Sequence, residues 1–560
     1  MKGHNNYWST QVTDPLIVDN ASALLWDAEY DVLVIGLGVA GVSAALQATE
    51  LGGRVAAIDR YSGGGASAVS GNVVYLGGGT RNQVEAGIED SADNMFNYLA
   101  HETRDAVSEE TLKRFCDGSV ETFNWLESHG VEFQGNACPY KTGYPIFKYR
   151  LYFSGNENTT GAKAVAKPVQ RGHIPKGMGR FSLIGHPALM APLTASAKDK
   201  GVSMYMHSDV RRLVQDRSGR VLGAEIWRIP TDHPAAIKQA KLAQKLKLPA
   251  FMPKKRAARL QAKYEALEKE YAEPLYLRGI KGVVLSAGGF VFNRELVMQH
   301  APEYEHVTSL GTFGDNGAGI LLGQSVGAET AYMEQISAWK FLDPPHAWSK
   351  GMLVNNAGHR IVDETSYGAV VGKAITENNG EGILILDKPL MKQSKKDLSF
   401  KKCQPSHILL GYLASFKAKK GNSIGELAQN CGIDQAVLVA SVDAYNKMAN
   451  SNEIDQFGKA SNSMQEISEG PFYALDLSTI NNPLGISSIT TGGLCLNETS
   501  GQVQSQGGAI PGLYAAGRNA VGIPTLSYVS GLSLSDGIFS GRRAAGHIMG
   551  TEAKLQTESN

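Results

Sequence analysis

The chain has 560 residues in which 54 Lys and Arg are matched by 54 Asp and Glu, so it carries no formal net charge at pH 7. That length exceeds what one hydrophobic core organises and implies two or more domains. The absence of a basic excess argues against a protein drawn to nucleic acid by its overall charge. Five scattered cysteines (Cys116, Cys138, Cys403, Cys431, Cys495), with no CxxC and no histidine at ligand spacing, read as reduced thiols, not as a disulfide framework or a metal site. The opening stretch MKGHNNYWSTQVTDPLIVDN lacks the apolar core of a secretory leader. No run approaches the ~20 apolar residues of a spanning helix. The expectation is a cytoplasmic protein, with peripheral attachment to the inner face of a membrane as its one membrane option.

The first predicted unit, Tyr30 to Asp59, is an apolar run (Val32 to Ile35), a turn Gly36-Leu37-Gly38-Val39-Ala40-Gly41, an alanine-rich helix and a second apolar run ending in Asp59. This strand–turn–helix–strand order is that of a dinucleotide site. Gly36 permits the tight turn, Gly38 lets backbone approach a pyrophosphate, and Gly41 allows close helix–strand packing. The phosphates would sit on the helix N-terminus, where N–H groups without intrahelical partners favour negative charge. Asp59 would accept from a ribose.

Two glycine clusters follow at once, Gly63-Gly64-Gly65-Ala66-Ser67-Ala68-Val69-Ser70-Gly71 and Gly77-Gly78-Gly79. They point to a longer cofactor lying along the backbone, with Ser67 and Ser70 beside its phosphate or ribityl part. Helices are expected from Ser91 to His129. Pro187 to Ile226 reads as helix, strand and hairpin, with Val210 in the second strand and a turn at Asp216 to Gly219. His186 is a lone histidine, more at home as a structural hydrogen-bonder than as a ligand. Gly282 to Phe290 is a buried apolar strand returning to the central sheet, and Leu513 to Gly517 is another short strand stopping at glycine.

Thr231 to Leu277 reads as an insertion within a hairpin. Lys238, Lys241, Lys245, Lys247, Lys254, Lys255, Arg256, Arg259 and Lys263 occur there with no acidic residue between Ala235 and Lys263. Ile237, Leu242, Leu246, Leu248, Phe251 and Met252 supply apolar contacts. Such a basic amphipathic segment suits an anionic lipid surface, and equally a solvated helical hairpin. A nucleic-acid role fits less well, because no aromatic stacking pattern accompanies the charge.

Gly36 to Asp59, Gly64-Gly65-Ala66-Ser67 to Ser70-Gly71, Ala287-Gly288-Gly289-Phe290, Gly314-Asp315-Asn316-Gly317 and Tyr514-Ala515-Ala516-Gly517-Arg518-Asn519 occur in the order that resembles FAD-binding flavoproteins. The group is the one that contains fumarate reductases and 3-ketosteroid dehydrogenases. The resemblance implies an α/β Rossmann-type FAD-binding domain, discontinuous in sequence (1–305 and 492–560), with an inserted α+β substrate and catalytic domain (306–491). It also implies FAD contacts at Gly36, Gly38, Val39, Ala40, Gly41, Asp59, Arg60, Gly64, Gly65, Ala66, Ser67, Ser70, Gly71, Val210, Ala287, Gly288, Gly289, Asp315, Gly517, Asn519, Ser533 and Leu534. No metal is expected.

Within that group, Trp339 to His346 lacks the dicarboxylate-gripping pattern of fumarate reductases. Val354 to Tyr367 resembles the ketosteroid dehydrogenase stretch that ends in a catalytic tyrosine. The tail Tyr528-Val529-Ser530-Gly531-Leu532-Ser533 lacks the Tyr-Pro-Gly-Pro-Gly run of Δ1-dehydrogenases and is similar to the 3-ketosteroid Δ4-(5α)-dehydrogenases. The Δ1 reaction, an enone reductase and a non-catalytic steroid-binding flavoprotein stay open as alternatives. Desaturation beside a ketone needs a donor that polarises the ketone, a base for the α-proton and a hydride acceptor at the β-carbon. The resemblance assigns Tyr528 to the ketone, assisted by a backbone N–H such as that of Leu532, and Tyr367 with Ser530 to the proton. Electrons would pass to an unidentified acceptor.

Overall fold

The computed structural model describes residues 12–177, 188–247, 252–451, 453–479 and 486–550. Its centre is a nine-stranded sheet. The labelled elements are β1 (Leu16–Val18), β2 (Ala28–Ile35), α1 (Val39–Glu50), β3 (Val55–Asp59), β4 (Ser203–Met206), β5 (Ser208–Asp216) and β6 (Val221–Arg228). They continue with α2 (Pro234–Lys245), α3 (Lys254–Tyr271), β7 (Glu273–Leu285), α4 (Pro405–Lys417), β8 (Gln502–Ser505), β9 (Gly508–Ala515) and α5 (Leu532–Met549). The strand order is β1-β5-β6-β7-β2-β3-β4, with β9 also on β7 and β8 on β9.

The expected unit forms as read: Val32, Leu33, Val34, Val55, Ala56 and Ala57 are buried, as strands covered on both faces require. β2 lies parallel to β3 (Val34↔Ala57) and to β7 (Val34↔Val284). β7 also takes β9 in parallel (Val284↔Tyr514), so a strand from the far end of the chain completes the sheet beside β7.

The predicted helix, strand and hairpin between Pro187 and Ile226 appear as Met190–Asp199, β4 and the antiparallel pair β5–β6. β6 then pairs antiparallel with β7 from Glu273↔Arg228 to Arg278↔Gly223. The insertion therefore sits at the tip of a hairpin, as expected, but it ends at Ala272 and not at Leu277, because β7 begins at Glu273.

Residues from the middle of the chain build separate sheets. Met352–Val354, Ile383–Leu386, Phe472–Asp476 and Lys419–Gly421 form an antiparallel four-stranded sheet, in that order. Thr308–Ser309, Ser487–Thr490 and Ile336–Trp339 form a three-stranded one that carries Trp339 and Ile489. A third small sheet, Val74–Tyr75, Gly172–His173 and Leu151–Tyr152, lies against the start of α5, where the Ser535 hydroxyl donates to the Tyr75 carbonyl at 2.7 Å.

Candidate functional site

A cavity of about 530 Å³ opens where the C-terminal ends of β2, β3 and β7 meet the N-termini of α1 and α5. This is the crevice in which open α/β sheets bind ligands. The turn after β2 is shaped by glycine. Gly36 has φ of 98°, and a Cβ there would stand 2.6 Å from the Ala287 Cα. A Cβ on Gly41 would overlap the Gly36 carbonyl oxygen, so α1 can start this close to the strand only without one.

Among the residues expected to hold FAD, Gly36, Gly38, Val39, Ala40, Asp59, Arg60, Gly65, Ala66, Ser67, Ser70, Gly71, Val210, Ala287, Gly288, Asp315, Gly517, Ser533 and Leu534 line this cavity. Gly41, Gly64, Gly289 and Asn519 are not among its lining residues. They shape it from behind: Gly64 N–H donates to the Leu37 carbonyl at 2.7 Å, and Asn519 Oδ1 accepts from Ala287 N–H at 3.2 Å. Gly289 packs so closely on Thr490 that a Cβ would overlap its hydroxyl. Asp59 accepts from the N–H groups of Leu37 (3.0 Å), Tyr61 (2.8 Å) and Gly63 (3.1 Å), which fixes the glycine-rich turn as well as facing the cavity. Arg60 is held by Glu268 at 3.2 Å and Asp209 at 3.7 Å.

The fit to a dinucleotide is supported by what the protein leaves unsatisfied. Arg518 Nη1 and Trp339 Nε1 are buried lining atoms without a protein hydrogen-bond partner. The N-termini of α1 and α5 end at the same cavity, where Val39, Ala40, Ser533 and Leu534 line it, and the positive ends of the two helix dipoles favour a phosphate there.

The other lining residues are aromatic. Tyr367 and Tyr528 are buried in one cluster with Ile489, against Leu310, Trp339 and Phe341. Trp339 meets Tyr528 edge-on at 5.1 Å between ring centroids, and Phe341 meets Tyr367 at 5.5 Å. Ser530 also lines the cavity. Its Oγ accepts from the Tyr152 hydroxyl at 3.0 Å, and its side chain also interacts with the Tyr367 hydroxyl. The structure thus brings all three expected catalytic residues together and adds Tyr152, which no motif in the sequence announced.

Burial raises the pKa of both Tyr528 and Tyr367, so each hydroxyl stays protonated and serves as a donor. The Tyr528 hydroxyl lies 3.3 Å from Ser533 Oγ and faces the N–H groups of Ser533 and Gly531. The backbone donor expected from Leu532 is not available, because its N–H donates to the Val529 carbonyl at 3.1 Å. Gly531, which lines the cavity, takes its place.

A buried polar network holds this arrangement. Asn156 Oδ1 accepts from Tyr367 N–H at 2.6 Å, and Asn156 Nδ2 donates to Glu102 at 2.8 Å. Glu102 also accepts from Ser527 Oγ at 3.1 Å, one residue before Tyr528. Ser530 N–H donates to the Ser154 carbonyl at 2.9 Å. Burial raises the Glu102 pKa, while its bonds to Asn156, Ser527 and Tyr98 pull the other way.

The insertion lies against the opposite part of the cavity, where Ala243, Leu246 and Lys247 join its lining. Of the apolar residues singled out in the insertion, Leu242, Leu246 and Met252 turn inward and, with Ala243 and Leu260, pack with Val291, Phe292 and Phe313. Tyr61 donates to Gln261 at 3.1 Å, and Tyr264 bonds the Arg60 carbonyl. Ile237 alone of the described members of that set is strongly exposed, at 61 %. Leu248 and Phe251 lie outside the described residues, as does His186. All five cysteines are free thiols. Among the described residues there is no cluster of metal-ligating side chains and no helix long and apolar enough to cross a membrane.

The family described as FAD binding domain matches residues 31–534. The chain is 34% identical over 517 residues to the 3-oxo-5-alpha-steroid 4-dehydrogenase of Comamonas testosteroni, covering 90% of this chain and 96% of that one. It is similar to the crystal structure of 3-ketosteroid-delta4-(5alpha)-dehydrogenase from Rhodococcus jostii RHA1 in complex with 4-androstene-3,17-dione. That match has a TM-score of 0.78 and 30% identity, over 96% of this chain and 100% of that one. A 3-ketosteroid delta1-dehydrogenase from Sterolibacterium denitrificans shares the fold, with a TM-score of 0.65 and 20% identity over 94% of this chain and 100% of that one.

Proposed function

This chain belongs to the FAD binding domain family of flavin-dependent oxidoreductases, and from that premise we propose that it oxidises a 5α-3-ketosteroid to the 4-ene. The observation that carries the reading is the meeting of Tyr528, Tyr367 and Ser530 at the aromatic wall of the cavity. Such a wall suits a fused-ring substrate with one polar end.

The Tyr528 hydroxyl, kept neutral by burial, donates to the steroid 3-ketone together with the Gly531 N–H. Both donors face the charge that grows on the oxygen as the α-proton leaves, which lowers the barrier more than it strengthens ground-state binding. Ser530 takes that proton. A serine alone is a weak base, so it acts with the Tyr367 and Tyr152 hydroxyls beside it in a relay that delivers the proton to water. FAD, which the glycine-rich turn and the N-termini of α1 and α5 would hold, would supply the hydride acceptor, and its electrons would pass to a separate acceptor.

The domain division at 305/306 and 491/492 is part of the same proposal. It is supported by the sheets, since every strand of the central sheet lies before 286 or after 501. Product analysis with 5α-androstane-3,17-dione and an artificial acceptor tests the regiochemistry: a 4-ene supports the proposal, and a 1-ene replaces it with the Δ1 reaction.

A further inference from the structure

The lipid contact that is one of two readings of the insertion has a better-equipped candidate elsewhere in the chain. α4, with sequence PSHILLGYLASFK, turns its small residues to the protein: Gly411 is buried against Leu398, and Ala414 with the following Ala418 packs on the core. Its large apolar residues point outward. Phe416 is 90 % exposed, Leu409 60 %, Tyr412 47 % and Leu413 42 %, with Phe400 at 65 % just before the helix. Positions 409, 412, 413 and 416 fall at helical spacing and form one stripe. Scattered exposed apolar side chains need no explanation, but a contiguous stripe does.

Charge surrounds the stripe. Lys392, Lys395, Lys396, Lys401 and Lys402 precede it and Lys417, Lys419 and Lys420 follow it, all exposed, while the exposed Lys388 is paired with Glu469 at 2.8 Å. The one acid between 388 and 420 is Asp397, which is buried and paired with Lys402 at 2.8 Å. We infer that α4 docks on the surface of an anionic lipid bilayer, with the stripe among the acyl chains and the lysines on the headgroups. An apolar stripe rimmed by cations fits that occupant, in which hydrocarbon lies beneath a layer of negative charge.

The helix is also coupled to the site. Gln404, at its N-cap, donates from Nε2 to the Pro145 carbonyl at 2.6 Å, next to Tyr144, which lines the cavity. A docked α4 therefore places the segment carrying Tyr144 near the lipid.

The test needs no steroid, so its failure is distinct from failure of the proposed reaction. The flavin-loaded protein is sedimented with phosphatidylcholine vesicles, with and without phosphatidylglycerol. The inference expects binding that requires phosphatidylglycerol and weakens with added salt. Replacing Leu409, Leu413 and Phe416 together by Glu should lower binding about tenfold or more with the flavin spectrum unchanged. Lys395→Glu with Lys396→Glu and Lys401→Glu should remove the preference for phosphatidylglycerol. The inference is overturned if the folded wild type stays in the supernatant, or if the variants bind as well as it does. It is also overturned if the apolar variant merely converts a dimer to a monomer without any vesicle binding, which would make the stripe a contact between copies.

Discussion

The Tyr152 hydroxyl donates a 3.0 Å hydrogen bond to Ser530 Oγ, joining a strand of a small peripheral sheet to the loop before α5. Tyr152 is fully buried. Its hydroxyl therefore has few alternatives, and Ser530 is held between two tyrosines. Tyr152→Phe keeps the ring packing and removes one hydroxyl from the proton route. The expected outcome in steady-state kinetics is a fall in kcat of about tenfold or more with little change in KM.

Tyr528→Phe removes the proposed donor to the ketone oxygen while leaving the ring contact with Trp339. Turnover should drop roughly 10²-fold or more, since an oxyanion donor is lost. Flavin content, read from the visible spectrum, should be unchanged, because the substitution leaves the glycine-rich turn intact.

Asn156→Ala deletes the acceptor for Tyr367 N–H and one donor to Glu102, leaving both buried groups short of a partner. Each such loss costs about 1–3 kcal/mol. Urea unfolding should show a destabilisation of about 2 kcal/mol or more, and kcat should fall because Tyr367 is no longer anchored.

Asp536 lies buried in the first turns of α5, and burial raises its pKa from 3.8 to about 6. A carboxyl whose pKa is higher in the folded state contributes stability that is fully present below about pH 4. That contribution is lost as pH rises through about 6, a change of about 3 kcal/mol for two pKa units. Asp536→Asn keeps an Oδ1 acceptor for the Ile523 N–H and cannot ionise. The variant should be the more stable protein at pH 8, with the difference vanishing towards pH 4, in thermal melts at fixed ionic strength.

Much of the site was legible because its chemistry is local. Gly36, Gly38 and Gly41 announce a turn within six residues, and the strand endings at Gly288 and Gly517 announce returns to the same sheet edge. Tyr367 and Tyr528 were reached only through resemblance, since a tyrosine by itself signals packing as readily as catalysis. Tyr152 and Asn156 left no signal, because their partners Ser530 and Tyr367 are more than 200 residues away in sequence. The Leu532 donor was misplaced by one residue: the turn into α5 consumes that N–H locally and leaves Gly531 facing Tyr528. Of the insertion's apolar residues, Leu242 and Leu246 mark one inward face at the end of α2, while Ile237 is exposed and Met252 lies outside any helix. Which way that face turns depends on Val291, Phe292 and Phe313, which periodicity within the insertion does not contain.

The central claim is that this cavity oxidises a saturated 3-ketosteroid beside its ketone. The most direct measurement is the visible spectrum of the flavin-loaded protein on addition of 5α-androstane-3,17-dione in the absence of oxygen. The account predicts bleaching of the flavin absorbance together with the appearance of the conjugated 4-ene-3-ketone. An oxidised spectrum that stays unchanged at saturating steroid would contradict it.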